Sequence, residues 1–399
     1  MEIGTKLTAV AMGIDAYERT RPIAAGLAER QRLVPIYLGH AIVESQVFID
    51  WAAIDTALTE LDAAPIPAGP RQVCLAAMAS SLKAASQVLR GEAMTYAEKL
   101  HRLVGAPAGL VPPIKMAELT ERVSNLLDRC GMPGSVLHDR VAAWEAQNAI
   151  PQDRLEAEFR ALMTEAKRRT DAAIFPTGDH DMALAPVHGT RFTARCNFAE
   201  GRMELNVDNV FTRAALKHLV CHEVYPGHAT QLLSTRAAVV AGVSGAEALL
   251  CTANTVAGCV QEGIGDQAVH LIDWIEDDHD NLQHALRCLR SAAQSCAGWQ
   301  LMAEHRPAAE VADYLRHVAA GQEAWVAGRL RMAAHPFQGP FIASYWHGQE
   351  AVRQARKATS AEHMPKLIRA LFDELHTPES LAQTLALPAA SSDACGSDT

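Results

Sequence analysis

Residues Val210–Gln231 spell VFTRAALKHLVCHEVYPGHATQ, a helically periodic run broken by Pro226-Gly227. Inside it stands His222-Glu223-Val224-Tyr225-Pro226-Gly227-His228. Two histidines four apart on one helix share a face and can hold zinc, while an adjoining Glu takes a proton from water. Here the second histidine lies six residues on. Six helical steps leave the two side chains about 120° apart and about 9 Å displaced along the axis. A regular helix cannot bring both to one metal. Proline lacks an N–H and clashes with the carbonyl four residues back, that of His222, and glycine tolerates the sharp turn that follows. The chain is therefore expected to end or distort its helix there and swing His228 back toward His222. The competing reading is a plain helix stop with two incidental histidines. His218 and His222 form a rival pair, four apart on an unbroken helix. Leu219 stands where the base would follow His218, so His218 is expected to pack behind the ligands.

A third ligand would leave one coordination position open. Glu262 is the best candidate, 34 residues beyond His228 in the weakly charged stretch Ala237–Ala268. A carboxylate among such neighbours is costly to bury unless paired or metal-bound. Asp266, four residues further along the same helical face, could accept the outer N–H of a ligating histidine and fix its ring. Alternatively the two acids form a solvated face. The acidic run Glu276-Asp277-Asp278-His279-Asp280 reads as an exposed turn. Imidazole plus carboxylate suits one Zn2+ ion, and also manganese, iron or cobalt.

The run His222-Glu223-x-x-Pro226-Gly227-His228-x-x-Gln231, followed by Glu262-Gly263, resembles the domain-of-unknown-function 885 family, grouped with zincin-like metallopeptidases of the gluzincin type. Pro133-Gly134-Ser135 with Arg140, Ala149-Ile150-Pro151, and Tyr345-x-x-Gly348 with Arg353 agree, so the resemblance spans about Leu100 to Arg356. It implies His222, His228 and Glu262 as zinc ligands and Glu223 as catalytic base. It also implies a mainly helical body with a small β element and a metal cleft. The chain departs from the family pattern at Ala229 and Ile264, where a histidine and an aromatic residue are common.

Working outward, Ala16–Glu60, Gln72–Val104, Ile114–Arg129 and Pro151–Ala173 read as amphipathic helices. Thr190–Val207 alternates around Ala199-Glu200-Gly201-Arg202, which predicts an antiparallel hairpin with Gly201 in the turn. Asp208 or Asn209 is placed to cap a helix beginning near Val210. The expectation is a mainly α, zincin-like metallohydrolase with a small antiparallel β element before the metal-binding helix. It forms one domain over 1–387, with a helical scaffold part (1–180), a metal-site part (181–387) and a tail at 388–399.

A second cluster concerns substrate. The Pro/Gly-rich approach through His335-Pro336-Phe337-Gln338-Gly339-Pro340 leads to a helix beginning near Ile342. Tyr345, in its first turns, could donate to a developing oxyanion, or could simply pack the core. Tyr225, beside Glu223, is a further donor candidate. Arg353 could pair a substrate carboxylate, with His335 and His347 as additional substrate contacts.

Composition bounds the partners. The chain has 399 residues, 36 Lys+Arg and 46 Asp+Glu, for a net charge of −10. An acid surplus argues against nucleic-acid or anionic-membrane binding, and no apolar run approaches the about 20 residues of a membrane span. The start of the chain lacks a signal-peptide pattern, so a cytoplasmic protein is expected. Nine scattered cysteines without a Cys-x-x-Cys pair argue against disulfides or a zinc ribbon and for buried thiols. The expected activity is zinc-dependent hydrolysis of a peptide or amide bond. The alternatives are a pathway enzyme acting on a small non-peptide amide, ester or related metabolite, and a non-catalytic helical binding protein.

Overall fold

The computed structural model describes residues 2–22, 33–34, 36–37, 39, 41–251 and 255–385. The expected tail at 388–399 lies outside them. Helix α1 (Ile3–Thr20) is capped by Glu2, whose carboxylate accepts from Thr5 N at 3.1 Å. It stops at Arg21, which is extended, as a residue before proline prefers to be. The single helix expected over Ala16–Glu60 is therefore not formed. Strand β1 (Ile36–Tyr37) and the non-helical residues 41–50 precede α2 (Trp51–Asp62). Two aspartates fix this path. Buried Asp15 accepts from Leu33 N and Val34 N at 2.8 and 3.1 Å, and Asp50 caps α2 by accepting from Ala53 N at 2.8 Å. The predicted helix Gln72–Val104 divides into α3 (Pro70–Leu89) and α4 (Tyr96–Lys99), the latter continuing through one π-helical turn to Val104. A Thr95–Glu98 capping box starts α4. Helices α5 (Pro113–Arg129), α6 (Leu137–Gln147) and α7 (Leu155–Ala173) complete this half.

The hairpin forms as predicted between β3 (Ala194–Asn197) and β4 (Arg202–Asn206), with Gly201 at φ +61°. The sheet is not purely antiparallel. Strand β2 (Ala183–Val187) adds to the other side of β4 in parallel register. Its sequence Ala-Leu-Ala-Pro-Val contains a proline, which a sheet tolerates on an edge strand and which hides it from pattern reading. β3 forms the opposite edge.

Helix α8 (Arg213–Glu223) starts later than expected. Its cap is Thr212, which accepts from Ala215 N at 3.1 Å, rather than Asp208 or Asn209. Then come α9 (His228–Val240), β5 (Leu250–Cys251), which pairs antiparallel with β1, and α10 (Val256–Leu271). Helices α11 (Asp278–Met302), α12 (Ala308–Val318), α13 (Glu323–Ala333), α14 (Ser344–Ala358), α15 (Met364–Phe372) and α16 (Pro378–Thr384) finish the fold. The protein is mainly helical with a small sheet.

Its buried apolar clusters join distant parts of the chain. Leu7, Val10 and Ile14 share one with Leu249, Leu250, Val256 and Phe337, so the residues before and after 180 do not have separate cores. A second packs Phe159 of α7 against Met203 and Leu205 of β4 and Leu216 and Val220 of α8. Truncating a fully buried aromatic such as Phe159 to Ala costs about 3–5 kcal/mol. Helices α10 and α14 touch through glycines. A Cβ on Gly348 would stand 1.7 Å from Cys259 O, and one on Gly263 would stand 2.1 Å from Gly348 O.

The acidic run 276–280 is not simply exposed. Asp277 caps α11, and buried Asp280 with Glu276 neutralises the buried Lys217 ammonium at 2.5 and 2.9 Å. Most cysteines among the described residues are buried and all of these are unpaired. No helix among the described residues is long and apolar enough to cross a membrane.

Candidate metal centre

Helix α8 ends at Glu223, three residues before the Pro226-Gly227 pair at which the sequence places the break. Val224 leaves the helical region at φ −122° and ψ −80°, the Tyr225–Pro226 peptide is cis, and α9 begins at His228. Gly227 lies directly against the end of α8, where a Cβ would fall 1.7 Å from His222 O and 2.4 Å from Cys221 O. Only glycine fits that approach. The junction is then tied by Thr230, whose N–H and Oγ1 both donate to Val224 O, at 3.2 and 3.0 Å.

The break brings His222 and His228 together, their ring centroids 4.8 Å apart and their planes perpendicular. Glu262 arrives from α10. Its Oε2 is 3.2 Å from His222 Nε2 and its Oε1 3.7 Å from His228 Nε2. One ligand atom from each of the three residues lies within 4.8 Å of the others. Buried Glu262 Oε2 is met only by His222 Nε2, at 3.2 Å and without hydrogen-bond geometry, a contact that a cation shared by the two groups would satisfy.

Behind this trio, Asp266 Oδ1 lies 3.0 Å from His222 Nδ1, 3.0 Å from Arg287 Nε and 3.6 Å from His218 Nε2. Burial favours the neutral Asp266 carboxyl, but Arg287, with His218 and His222, holds it well below the usual carboxylate range. Burial disfavours the charged His222 ring too, yet Asp266 and Glu262 outweigh it and lift its pKa to about 10. Burial pushes His218 down to about 4, Asp266 opposing. His218, His222 and Asp266 also bring ligand atoms within 4.8 Å of one another, but Arg287 already occupies Asp266, and neither His218 nor Asp266 lines the cavity. The His222–His228–Glu262 set faces an open cavity of about 780 Å³, a volume typical of ligand sites. The donor set of two imidazoles and a carboxylate, with a second carboxylate behind one ring, fits a single divalent cation of the zinc type.

Glu223 lines the same cavity and accepts one hydrogen bond, from Cys196 N of edge strand β3 at 2.7 Å. Tyr345, in the second residue of α14, also lines it, with Arg287 over its ring at 5.4 Å. Burial, with the carboxylates of Glu262 and Glu223, pushes the phenol pKa up, so Tyr345 is a protonated donor at neutral pH.

The remaining candidates fall elsewhere. Tyr225 is fully buried, and its hydroxyl donates to His180 O at 2.5 Å and lies 2.8 Å from His180 Nδ1. It braces the break and does not line the cavity. Arg353 makes a bidentate pair with Glu350 on its own helix, both contacts 2.9 Å, and is not in the cavity wall. His335 accepts from Phe337 N and Gln338 N at 3.3 and 2.9 Å, closing a turn. His347, two residues past Tyr345, does not line the cavity. In place of Arg353, the cavity wall holds Arg191 and Arg195 of the ribbon and, from the helices, Arg287 and Arg329. Sequence reasoning missed both helical arginines, because an arginine on a helix reads as solvated.

No family model and no curated protein matches the chain. Solved structures do resemble it. The crystal structure of a "putative lipoprotein" from Colwellia psychrerythraea superposes with a TM-score of 0.58 at 13% identity, covering 87% of this chain and 64% of that one. A "putative lipoprotein of unknown function" from Shewanella oneidensis gives a TM-score of 0.54 at 14% identity, covering 85% of this chain and 68% of that one. At such identity the likeness carries the fold alone, shared by a chain that spans about two thirds of each relative's length.

Proposed function

We propose that the chain is a zincin-like, metal-dependent hydrolase of a peptide or amide bond. The observation that carries this reading is the convergence of His222, His228 and Glu262, across a broken helix and a separate one, at the wall of a cavity that also holds Glu223. The His-Glu-x-x-Pro-Gly-His resemblance supports the same assignment. His222, His228 and Glu262 would hold the cation, with Asp266 and His218 positioning His222 from behind. A zinc-type cation supplies Lewis-acid polarisation of a carbonyl and a water acidified toward neutrality.

The chain's own groups do the rest. Glu223, held through Oε2 by Cys196 N, has Oε1 for the proton that the attacking water gives up. Tyr345 donates to the oxyanion that develops as the carbonyl is attacked. Glu223 then returns its proton to the departing nitrogen. Water adds across the C–N bond, giving a carboxylic acid and an amine. A small non-peptide amide satisfies the same chemistry.

The test is elemental analysis of the purified protein together with hydrolysis assays on oligopeptides and small N-acyl amides. About one zinc-type ion per chain and chelator-sensitive cleavage of either class are expected. Absence of both a bound metal and any cleavage after zinc addition would overturn the reading.

A further inference from the structure

Arg329 of α13 is 4% exposed and stands in the wall of the cavity that holds His222, Glu223 and Glu262. Its Nη2 donates to Arg191 O at 2.7 Å and its Nη1 reaches Gln294 Oε1 at 3.4 Å, while its Nε has no hydrogen-bond partner. Among the described residues no carboxylate forms an ion pair with it. The half-buried Arg287 and the buried Lys217 are treated differently. Arg287 is paired with Asp266 at 3.0 Å and Lys217 with Asp280 at 2.5 Å. The nearby acids are engaged elsewhere, Glu223 by Cys196 N and Glu262 by the two imidazoles.

A guanidinium removed from water and offered neutral acceptors is costly to keep. Burial works against its charge more than any other influence, and Arg287 adds to that, while Tyr345 and Glu262 pull the other way without outweighing it. A planar fork at the wall of a cavity, whose two terminal nitrogens meet only one amide oxygen and one carbonyl, matches an incoming carboxylate, which it can engage with charge-assisted bonds.

We propose that Arg329 is the anion-binding residue of this cavity, and that the substrate is an amide bearing a free α-carboxylate, as at the end of a peptide or on an N-acyl amino acid. This rests on the hydrolase reading and names its substrate class. The carboxylate lodges at Arg329 while the scissile carbonyl faces His222, His228 and Glu262. Arg329 is a binding residue here and takes no part in proton transfer.

Calorimetric titration of the full chain tests it, run once with zinc and once after chelation. The probes are N-acetylalanine and tetraalanine, each against its carboxamide. Each acid is expected to bind about tenfold tighter than its amide, or better, under both conditions. In R329Q the ratio should fall to near one, and R329K should keep part of it, which separates loss of charge from loss of fold. The tighter of the two acids tells a small amide from a peptide. Equal binding of acid and amide by the wild type, no binding of either acid, or a preference that survives R329Q overturns the proposal. Because one arm contains no metal, failure here leaves the metal centre standing. A carboxylate preference in a chain that binds no zinc keeps Arg329 and sinks the hydrolase reading instead.

Discussion

His222 Nδ1 and Asp266 Oδ1 face each other at 3.0 Å across the contact between α8 and α10, both side chains out of solvent. The contact joins one side of the helix break to the helix that carries Glu262, so ring orientation and ligand spacing are set together. A carboxylate behind a ligating imidazole fixes its tautomer and raises its basicity, and loss of such a partner lowers metal affinity by about 10–100-fold. D266N is expected to show that drop, read by competition with a chromogenic chelator.

The three proposed ligands should behave alike and differently from their neighbour. H222A, H228A and E262A are each expected to abolish stoichiometric zinc. H218A should retain it, because His218 touches Asp266 at 3.6 Å rather than the cavity. Retention in H228A with loss in H218A would move the metal to the buried grouping behind.

Glu223 should be separable from metal binding. E223Q keeps the hydrogen bond from Cys196 N but cannot take up a proton, so it is expected to hold zinc while turnover falls by about 10²–10⁴-fold. Full activity in a metal-replete E223Q protein would remove Glu223 as the base.

The two tyrosines make opposite predictions. Y345F should lower kcat by about 10²-fold with little change in KM, the mark of a donor used in the transition state. Y225F should leave kcat intact and cost about 1 kcal/mol of stability, from the bond to His180 O, read by denaturant unfolding.

Acid should destabilise the fold in a defined window. Burial pushes His347 down to about 4, Glu350 opposing, and His270 down to about 3, against about 6.5 for an exposed histidine. Below about 6.5 the unfolded chain takes up protons that the folded chain refuses, so this contribution is whole above about 6.5 and is lost as pH falls toward 4. Urea midpoints of the chelated protein should drop from pH ~7 to pH ~4.5, and less steeply in H347Q.

The break after Tyr225 could be read from the chain because proline and glycine leave the backbone few alternatives. Glu262 and Asp266 could be read because carboxylates in an almost uncharged helix demand partners. Arg287 and Arg329 could not, since an arginine on a helix reads as solvated until the packing of α10, α11, α13 and the sheet is known. Arg353 looked available because its consumer, Glu350, is an ordinary neighbour three residues back. Tyr225 was misplaced by adjacency. Where a helix stops, the next residue turns away, and the phenol beside Glu223 in sequence ends against His180. Strand β2 was hidden by Pro186, and the single helix over Ala16–Glu60 failed at a proline whose effect local periodicity does not register.

The glycine-to-backbone seating of α10 on α14 has a mechanical corollary. With main chains meeting at Gly263 and Gly348 and Val260 and Ile264 packed in one apolar cluster with Val352 and Ala355, Glu262 and Tyr345 ride on one closely seated helix pair. The ribbon Arg191–Asn197, which carries Cys196, lines the same cavity from the edge of the small sheet. We expect drift in substrate preference among related chains to be written into that ribbon, with the helix pair left alone.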